Sequence, residues 1–241
     1  MPVLTDRQIQ LISAIIKEYA QAAEPVGSVE VVKKYSFRCS PATVRNEMAR
    51  LINMGYLEME HTSSGRIPTK LAYKLYLQEI LEEVELPVLS EVALKQRLWP
   101  TRYEIAKMLR EAVIALSDIT KNLTIATIDD GFVTYAGAAN MLDHREFFQI
   151  EAAKTALMVL DNYELLDRVF KKAPFGEDIR FVIGDEIELD KLKRCAFVFT
   201  PYEVGTKKGY VSVFGPSRMD YAGIIPALRY TKKLIEELGA S

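Results

Sequence analysis

The sequence contains few of the side chains that carry enzyme chemistry. Only two of its 241 residues are histidine and only two are cysteine. Cys39 and Cys195 are far apart, and so are His61 and His144, so neither pair has the spacing of a metal site or a catalytic group. We therefore expect no catalytic residues, no metal and no cofactor. The two thiols are expected to stay reduced, as is usual in the cytoplasm.

Long hydrophobic runs are also missing. No apolar stretch approaches the roughly 18–20 residues that span a bilayer, although hydrophobic residues make up 49% of the chain. The N-terminus has an early acidic residue, Asp6, and lacks the apolar core of a signal peptide. These absences predict a globular cytoplasmic protein that has no membrane partner.

The chain as a whole has no large excess of one charge, but one segment of it does. The net charge is −2, which alone gives no reason to expect a nucleic acid as partner. Between Lys33 and Lys74, however, eight cations stand against three anions, whereas 21 cations stand against 25 anions from residue 81 onward. A basic N-terminal module joined to an acidic remainder indicates that the first module faces a polyanion.

Helical spacing of apolar residues predicts three short helices near the N-terminus, at 5–22, about 29–35 and 40–54. The third has the clearest boundaries. Ser40 before Pro41 favours a helix start, because serine caps the first turn and proline fits its first position. Gly55 suits the left-handed position that ends a helix.

The residues after the third helix have the pattern of a β-hairpin. Residues 56–60 alternate as a half-buried strand does, 61–65 are typical turn residues, and 66–68 return as a short strand. Helix, turn, helix and hairpin in this order are typical of a winged helix-turn-helix domain.

The rest of the chain predicts an α+β domain with a mostly antiparallel sheet. Thr69 opens a helix over 70–85 that is expected to connect domains, and 86–101 resembles a linker with one helical turn or more. The proposed division is therefore 1–85, 86–101 and 102–241. The elements expected in the last part are a helix at 102–121, strands at 123–128 and 132–136, a helical segment at 146–171, strands at 179–183, 195–202 and 209–214, and a final helix to about 238.

One side of the third helix is polar in a way that suits nucleic acid. At about 100° per residue, Thr43, Asn46 and Arg50 lie opposite its apolar side. Arginine can donate two hydrogen bonds to guanine and asparagine can pair with adenine. Most polar helix faces are simply solvated, but the neighbouring helix, the hairpin and the local positive charge favour recognition here. Those three residues are predicted to contact bases or the groove, with Ser40 and Arg45 mostly at phosphates.

The hairpin tip offers a second set of contacts. Arg66 is expected to project beside Gly65, and an arginine on such a wing suits phosphate or the minor groove. His61, Thr62 and Ser63 complete the predicted DNA-binding set. The alternative is an ordinary surface turn whose hydroxyl groups bond to their own backbone.

Six motifs in a fixed order extend this pattern over both halves of the chain. They are EPVGS at 24–28, SPATVRNEMARL at 40–51, GYLE at 55–58, HTSSGRIPT at 61–69, NMLD at 140–143 and FGPSRMDY at 214–221. Together they resemble the HrcA family of bacterial heat-inducible transcription repressors. The resemblance implies an N-terminal winged helix and a C-terminal GAF-like domain.

The resemblance also implies a biological role. It implies a homodimeric repressor that binds double-stranded DNA at an inverted repeat ahead of heat-shock and chaperone genes. A GroEL-type chaperonin is the implied partner that helps the repressor reach its active form. These properties follow from the resemblance alone.

The chain departs from the family's usual pattern at three places. Pro41 replaces a usual small residue, Met59-Glu60 stand where the family tends to have Gln-Pro, and the third departure is a missing domain. HrcA proteins usually carry an inserted dimerising domain within the GAF-like part. Here residues 127–135 pass through a tight hairpin, with Asp129-Asp130-Gly131 as its turn signal. We infer that the insert is absent, so the resemblance does not identify the surface that would join two copies.

Three alternatives stay open on the residues alone. A winged-helix regulator could respond to a small effector in the C-terminal domain, where residues 215–220 could hold an anion on backbone N–H groups, although capping by Ser217 and Asp220 also explains that stretch. An enzyme built on this domain would lack a clustered nucleophile, base or metal set. A winged helix used only for protein contacts is the third alternative.

Overall fold

The computed structural model describes residues 4–60, 65–82, 84–173 and 178–240. Two units divide the chain, Met1–Glu82 and Glu83–Ser241. Helices and antiparallel strands are mixed, so the α+β class is confirmed. Within the described part of the chain, no helix is both long and apolar enough to cross a membrane.

In the first unit, three helices precede a small antiparallel hairpin. The elements are α1 (Asp6–Ala22), α2 (Ser28–Lys34), α3 (Pro41–Asn53), β1 (Leu57–Glu58), β2 (Ile67–Pro68) and α4 (Lys70–Leu75). The predicted order of these elements is confirmed. In the hairpin, Leu57 lies opposite Pro68 and Glu58 opposite Ile67.

Local signals fix both ends of α3. The Ser40 hydroxyl accepts a hydrogen bond from the Thr43 backbone N–H at 3.2 Å, and Pro41 occupies the first turn. Beyond the last turn, Gly55 has a φ of +81°, which side chains with a Cβ rarely adopt. The predicted start and stop of this helix are therefore confirmed.

The helix after the hairpin ends earlier than the predicted residue 85. Thr69 caps α4 as expected, but Tyr76–Ile80 form a wider π-helical turn. The Leu81 N–H donates to the Tyr76 carbonyl, five residues back, and Leu81 itself is extended. The helical hydrogen-bond series therefore stops at Ile80.

The predicted linker over 86–101 contains a regular helix, α5 (Val88–Leu98). It packs against α6 (Ile105–Thr120) and α10 (Tyr221–Gly239) of the second unit. Leu94 and Leu98 are fully buried there. Burial of these two leucines stabilises a helix in a stretch bounded by two prolines, so the one helical turn or more that the sequence predicted here is a helix of 11 residues.

The second unit is built on a five-stranded antiparallel sheet with the order β4-β3-β7-β6-β5. Its strands are β3 (Leu123–Ile128), β4 (Val133–Ala136), β5 (Arg180–Ile183), β6 (Cys195–Val204) and β7 (Lys207–Pro216). All five strands were predicted. The β6–β7 hairpin is longer than expected, because both strands continue to a tight turn at Gly205.

Helices cover both faces of this sheet. The Thr124 hydroxyl donates to the Val113 carbonyl of α6 at 2.6 Å, which places α6 on one face. Side chains alternate along a strand, and the opposite face carries Phe197, Phe199 and Phe214 in one hydrophobic cluster with residues of three further helices. Those helices are α7 (Ala138–Met141), α8 (Ile150–Leu160) and α9 (Tyr163–Lys171).

Two helical predictions in this unit were wrong. The helical segment over 146–171 is broken, because the Asn162 side chain accepts a hydrogen bond from the Leu165 N–H and starts α9 as a separate helix. Ser217 does not cap α10; its hydroxyl donates to the Cys195 carbonyl at 3.0 Å. Asp220 precedes α10 but makes no side-chain capping bond.

The β3–β4 connection is the tight hairpin that the sequence predicted. Thr127 lies opposite Val133, and Gly131 forms the turn with a φ of +94°. The chain therefore passes between these strands without an inserted domain.

Candidate nucleic-acid interface

The α3 helix turns an apolar side inward and a polar side to solvent. The inward side carries Val44, Met48 and Leu51, each at most 2% exposed. The residues exposed to solvent include Arg45, Asn46 and Arg50. The division into two sides that the helical spacing predicted is present in the structure.

The start of α3 is a polar and accessible surface. Ser40 is exposed, and its hydroxyl oxygen lies 3.0 Å from that of Thr43, which is half-buried. The positive end of the helix dipole lies at the same place and favours a nearby anion. Both predicted hydroxyl groups are thus brought together where a phosphate would be attracted.

A buried carboxylate positions Arg50. Glu47 accepts a hydrogen bond from Arg50 at 3.0 Å and another from the Gln8 side-chain amide of α1 at 3.1 Å. The Arg50 side chain is still 68% exposed. The guanidinium is therefore anchored at one nitrogen while the rest of the group faces solvent.

Sequence reasoning missed both supporting residues. The spacing of three between Glu47 and Arg50 is a recognisable helical pair. Gln8 gives no comparable signal, since it lies 39 positions from Glu47 and meets it only through tertiary packing.

The base of the hairpin is held against the chain that follows α1. Val26 and Arg66 exchange two backbone hydrogen bonds of 2.9 Å and form an antiparallel bridge. A Cβ atom on Gly65 would come within 2.5 Å of the Pro25 carbonyl oxygen, so this approach requires glycine. The EPVGS and HTSSGRIPT motifs thus meet in space.

The Arg66 side chain projects less far into solvent than the sequence predicted. Its side chain is half-buried, and one guanidinium nitrogen donates to the Gly65 carbonyl at 3.3 Å. The close packing on Pro25 and Val26 explains why it does not project freely. The other predicted wing residues, His61, Thr62 and Ser63, lie outside the described residues.

A charged clamp fixes α2 on α1. The buried Glu18 carboxylate accepts hydrogen bonds from Lys34 and, at 3.0 Å, from the Tyr35 hydroxyl. Burial raises the pKa of Tyr35 to about 12, and the bond to Glu18 adds to this rise. Burial would also raise the pKa of Glu18, but the bonds from Lys34 and Tyr35 outweigh it and lower that pKa.

The groups considered for catalysis or ligand binding have structural partners. Burial raises the pKa of the Cys195 thiol, which makes it a poor nucleophile. Asp130, in the turn between β3 and β4, pairs at 2.6 Å with Lys207 at the start of the neighbouring strand β7. Among the described residues, no three His, Cys, Asp or Glu side chains converge as a metal site would require.

Residues 215–220, where β7 leads into α10, are held by hydrogen bonds and an ion pair within the protein. The backbone N–H groups of Ser217 and Met219 donate to protein carbonyls. Arg218 forms a two-point ion pair with Glu146, at 2.8 and 3.0 Å, and both side chains are almost fully buried. These contacts disfavour the anion-binding interpretation of this stretch.

Known proteins resemble the chain over nearly its whole length. Residues 67–225 match the family described as HrcA protein C terminal domain. A heat-inducible transcription repressor HrcA of Acetivibrio thermocellus is 25% identical, with 97% of this chain and 96% of that protein covered. The repressor of the same name from Clostridium tetani is 40% identical over 137 residues, which are 56% of this chain and 39% of the relative.

Length and fold add to this likeness. The alignment with the Acetivibrio thermocellus repressor spans 336 positions, which exceeds the 241 residues of this chain by 95. At least that many positions of the relative therefore have no counterpart here, which agrees with a missing insert.

A crystal structure of a hypothetical protein, 19% identical, has the same fold with a TM-score of 0.81 and 99% of both chains covered. Because the family match covers well over half of its residues, the chain belongs to the HrcA family.

Proposed function

We propose that this chain is a sequence-specific DNA-binding repressor of heat-shock and chaperone genes, and that it is not an enzyme. The observation that carries the proposal is the exposed polar side of α3, on which Asn46 and Arg50 lie beyond an accessible capped start. The names of the HrcA relatives, which are heat-inducible transcription repressors, support the regulatory role.

The first unit acts as a winged helix in this proposal. Three helices, a hairpin and the added bridge at Val26 support that assignment. In such domains the recognition helix enters the major groove and neighbouring elements contact the backbone. We assign the DNA-binding domain to residues 1–85 and the regulatory and dimerising domain to 102–241, together with α5, which packs on that domain.

Each predicted contact residue has a proposed role. Thr43, Asn46 and Arg50 contact bases or the groove, because their side chains share the outer side of α3. The residues assigned to phosphates or the wing are Ser40, Arg45, His61, Thr62, Ser63 and Arg66. The half-buried position of Arg66 favours a phosphate close to the base of the hairpin.

A homodimer on an inverted repeat follows from the size of α3. The helix has only 13 residues, so a single copy can reach few base pairs. Two copies related by a two-fold axis would read two half-sites of a symmetric operator. A GroEL-type chaperonin as a further partner rests on the family resemblance.

Removing Arg50 tests the assignment. Arg50→Ala should lower the affinity for operator DNA by about 1–3 kcal/mol, or roughly 5- to 150-fold, because a base contact is lost. Fluorescence anisotropy with labelled operator and scrambled duplexes measures this change. The matched control is Arg110→Ala, which removes an exposed helical arginine in the second unit. If Arg50→Ala binds DNA with wild-type affinity and specificity, α3 is excluded as the helix that recognises the operator.

A further inference from the structure

The outer side of α5 is apolar, although it faces solvent. At about 100° per residue, Leu89, Val92 and Trp99 lie opposite the side that Leu94 and Leu98 bury. Leu89 is 85% exposed and Trp99 is 50% exposed. Surface helices usually carry polar residues on this side, and a contiguous apolar patch marks an interaction site.

An aromatic cluster lies at the C-terminal end of this surface. The Arg102 guanidinium stacks on the Trp99 ring at 4.4 Å and on the Tyr103 ring at 4.2 Å. It also donates hydrogen bonds of 2.8 Å to the Trp99 carbonyl and the Tyr103 hydroxyl. Tryptophan, tyrosine and arginine dominate the binding energy of protein interfaces. Because the three side chains already hold one another in place, docking would cost little additional side-chain entropy.

An open groove lies beside this surface, between the N-terminal end of α5 and α10. Its volume is about 480 Å³, and it is lined by Val84, Glu85, Leu86, Glu91, Pro226, Arg229, Tyr230 and Lys233. The groove thus combines apolar side chains with two carboxylates, Glu85 and Glu91, and two cations, Arg229 and Lys233. Its apolar side chains suit the rings of an aromatic cluster.

Charge is divided in a self-complementary way along the segment 85–102, which contains α5. Glu85 and Glu91 lie towards its N-terminal end, whereas Lys95, Arg97 and Arg102 lie towards its C-terminal end. When two such helices pair antiparallel, each acidic end faces a basic end. A pairing centred between Val92 and Gln96 would also set Leu89 of one copy opposite Trp99 of the other.

We propose that a second copy of this chain docks here, with α5 against α5 about a two-fold axis. The cluster formed by Trp99, Arg102 and Tyr103 of each protomer then occupies the groove of its partner. A two-fold contact uses the same surface twice, so both complementary ends are satisfied. The inference rests on the proposed homodimeric repressor, and it supplies a dimer surface in a chain without the inserted domain.

A substitution within the patch tests the surface. Leu89→Glu in the full chain should raise the dimer dissociation constant at least about 100-fold, because it places a charge in an apolar contact. Sedimentation velocity over a concentration series measures this constant. Ile150→Glu is the matched control, since Ile150 also lies in the first turn of a helix and is 76% exposed. A monomeric wild type, or a Leu89→Glu chain that dimerises like the wild type, overturns the proposal.

Charge reversal tests the antiparallel arrangement. Glu85→Arg and Arg102→Glu should each weaken the homodimer, because each places like charges at both ends of the contact. An equimolar mixture of the two variants should form a heterodimer at least about 10-fold tighter than either homodimer, since opposite charges then meet at both ends. A mixture that associates no better than its components excludes this register.

DNA binding separates failure of the surface from failure of the proposed function. Monomeric Leu89→Glu should keep wild-type affinity for a single half-site and lose the extra affinity for the full inverted repeat. If the wild type is dimeric through α5 but binds no DNA, the proposed function fails and the surface stands. If Leu89→Glu still dimerises while the wild type binds the repeat, the surface fails and the function stands.

Discussion

At the scale of single residues, the proposed DNA-contact groups depend on neighbouring residues outside the polar side of α3. Arg50 is directed by Glu47, which is in turn held by Gln8 of α1. Arg66 is placed by the contact of Gly65 with Pro25. Residue type and spacing could predict the contact groups of α3. They could not predict the partners, because those meet only when the three helices pack.

Arg66 offers a test at this scale. Arg66→Met keeps an apolar stem that can pack beside Val26 while it removes the charge. If Arg66 neutralises one phosphate, the slope of log affinity against log salt should become shallower by up to about one unit. Anisotropy titrations from low to moderate salt measure the slope. An unchanged slope, with wild-type thermal stability, would remove Arg66 from the phosphate contacts.

At the scale of elements, the Glu18 clamp holds α2 in place ahead of α3. The carboxylate is charged while it accepts bonds from Lys34 and Tyr35, which lowers its pKa. A carboxyl group with a lowered pKa in the folded state adds stability above its ordinary pKa. That contribution is lost as the pH falls through the folded-state value.

Glu18→Gln should therefore lower the free energy of unfolding near pH 7 by about 1–3 kcal/mol, the usual range for a hydrogen bond to a charged group. The difference from wild type should begin to shrink as the pH falls below about 4.5, where Glu18 of the unfolded chain takes up a proton, and should be lost once the pH passes below the lowered pKa of the folded state. Urea unfolding between pH 3 and 7 measures this. Glu58→Gln, an exposed change in the same unit, should stay within about 0.5 kcal/mol at every pH. The same pH profile in both variants would contradict the clamp.

The elements also show which parts of the fold a single sequence predicts. The ends of α3 were predictable, because Ser40, Pro41 and Gly55 act on their own neighbours. The full length of α5 was not, because apolar residues on its outer side hide the helical period and two prolines flank it. The break before α9 had a local signal, the capping residue Asn162, which the apolar pattern on either side concealed.

At the scale of the whole molecule, the charge distribution and the missing insert both bear on the proposed dimeric repressor. In the proposed function, the basic N-terminal segment supplies a DNA-facing surface and the acidic remainder carries the contacts between copies. Because no inserted domain lies between β3 and β4, the proposed dimer needs another surface, for which α5 is our proposal. The dimer and the operator should therefore have matching symmetry.

Selection of bound DNA from a random pool by the full chain tests the central claim most directly. The enriched sequences should be palindromic, with half-sites separated by about one helical turn of roughly 10 base pairs or a multiple of it. Repeating the selection with Asn46→Ala should relax the preference at one position in each half-site. A pool without enrichment, or enriched sequences without two-fold symmetry, would contradict a homodimeric repressor that reads DNA through α3.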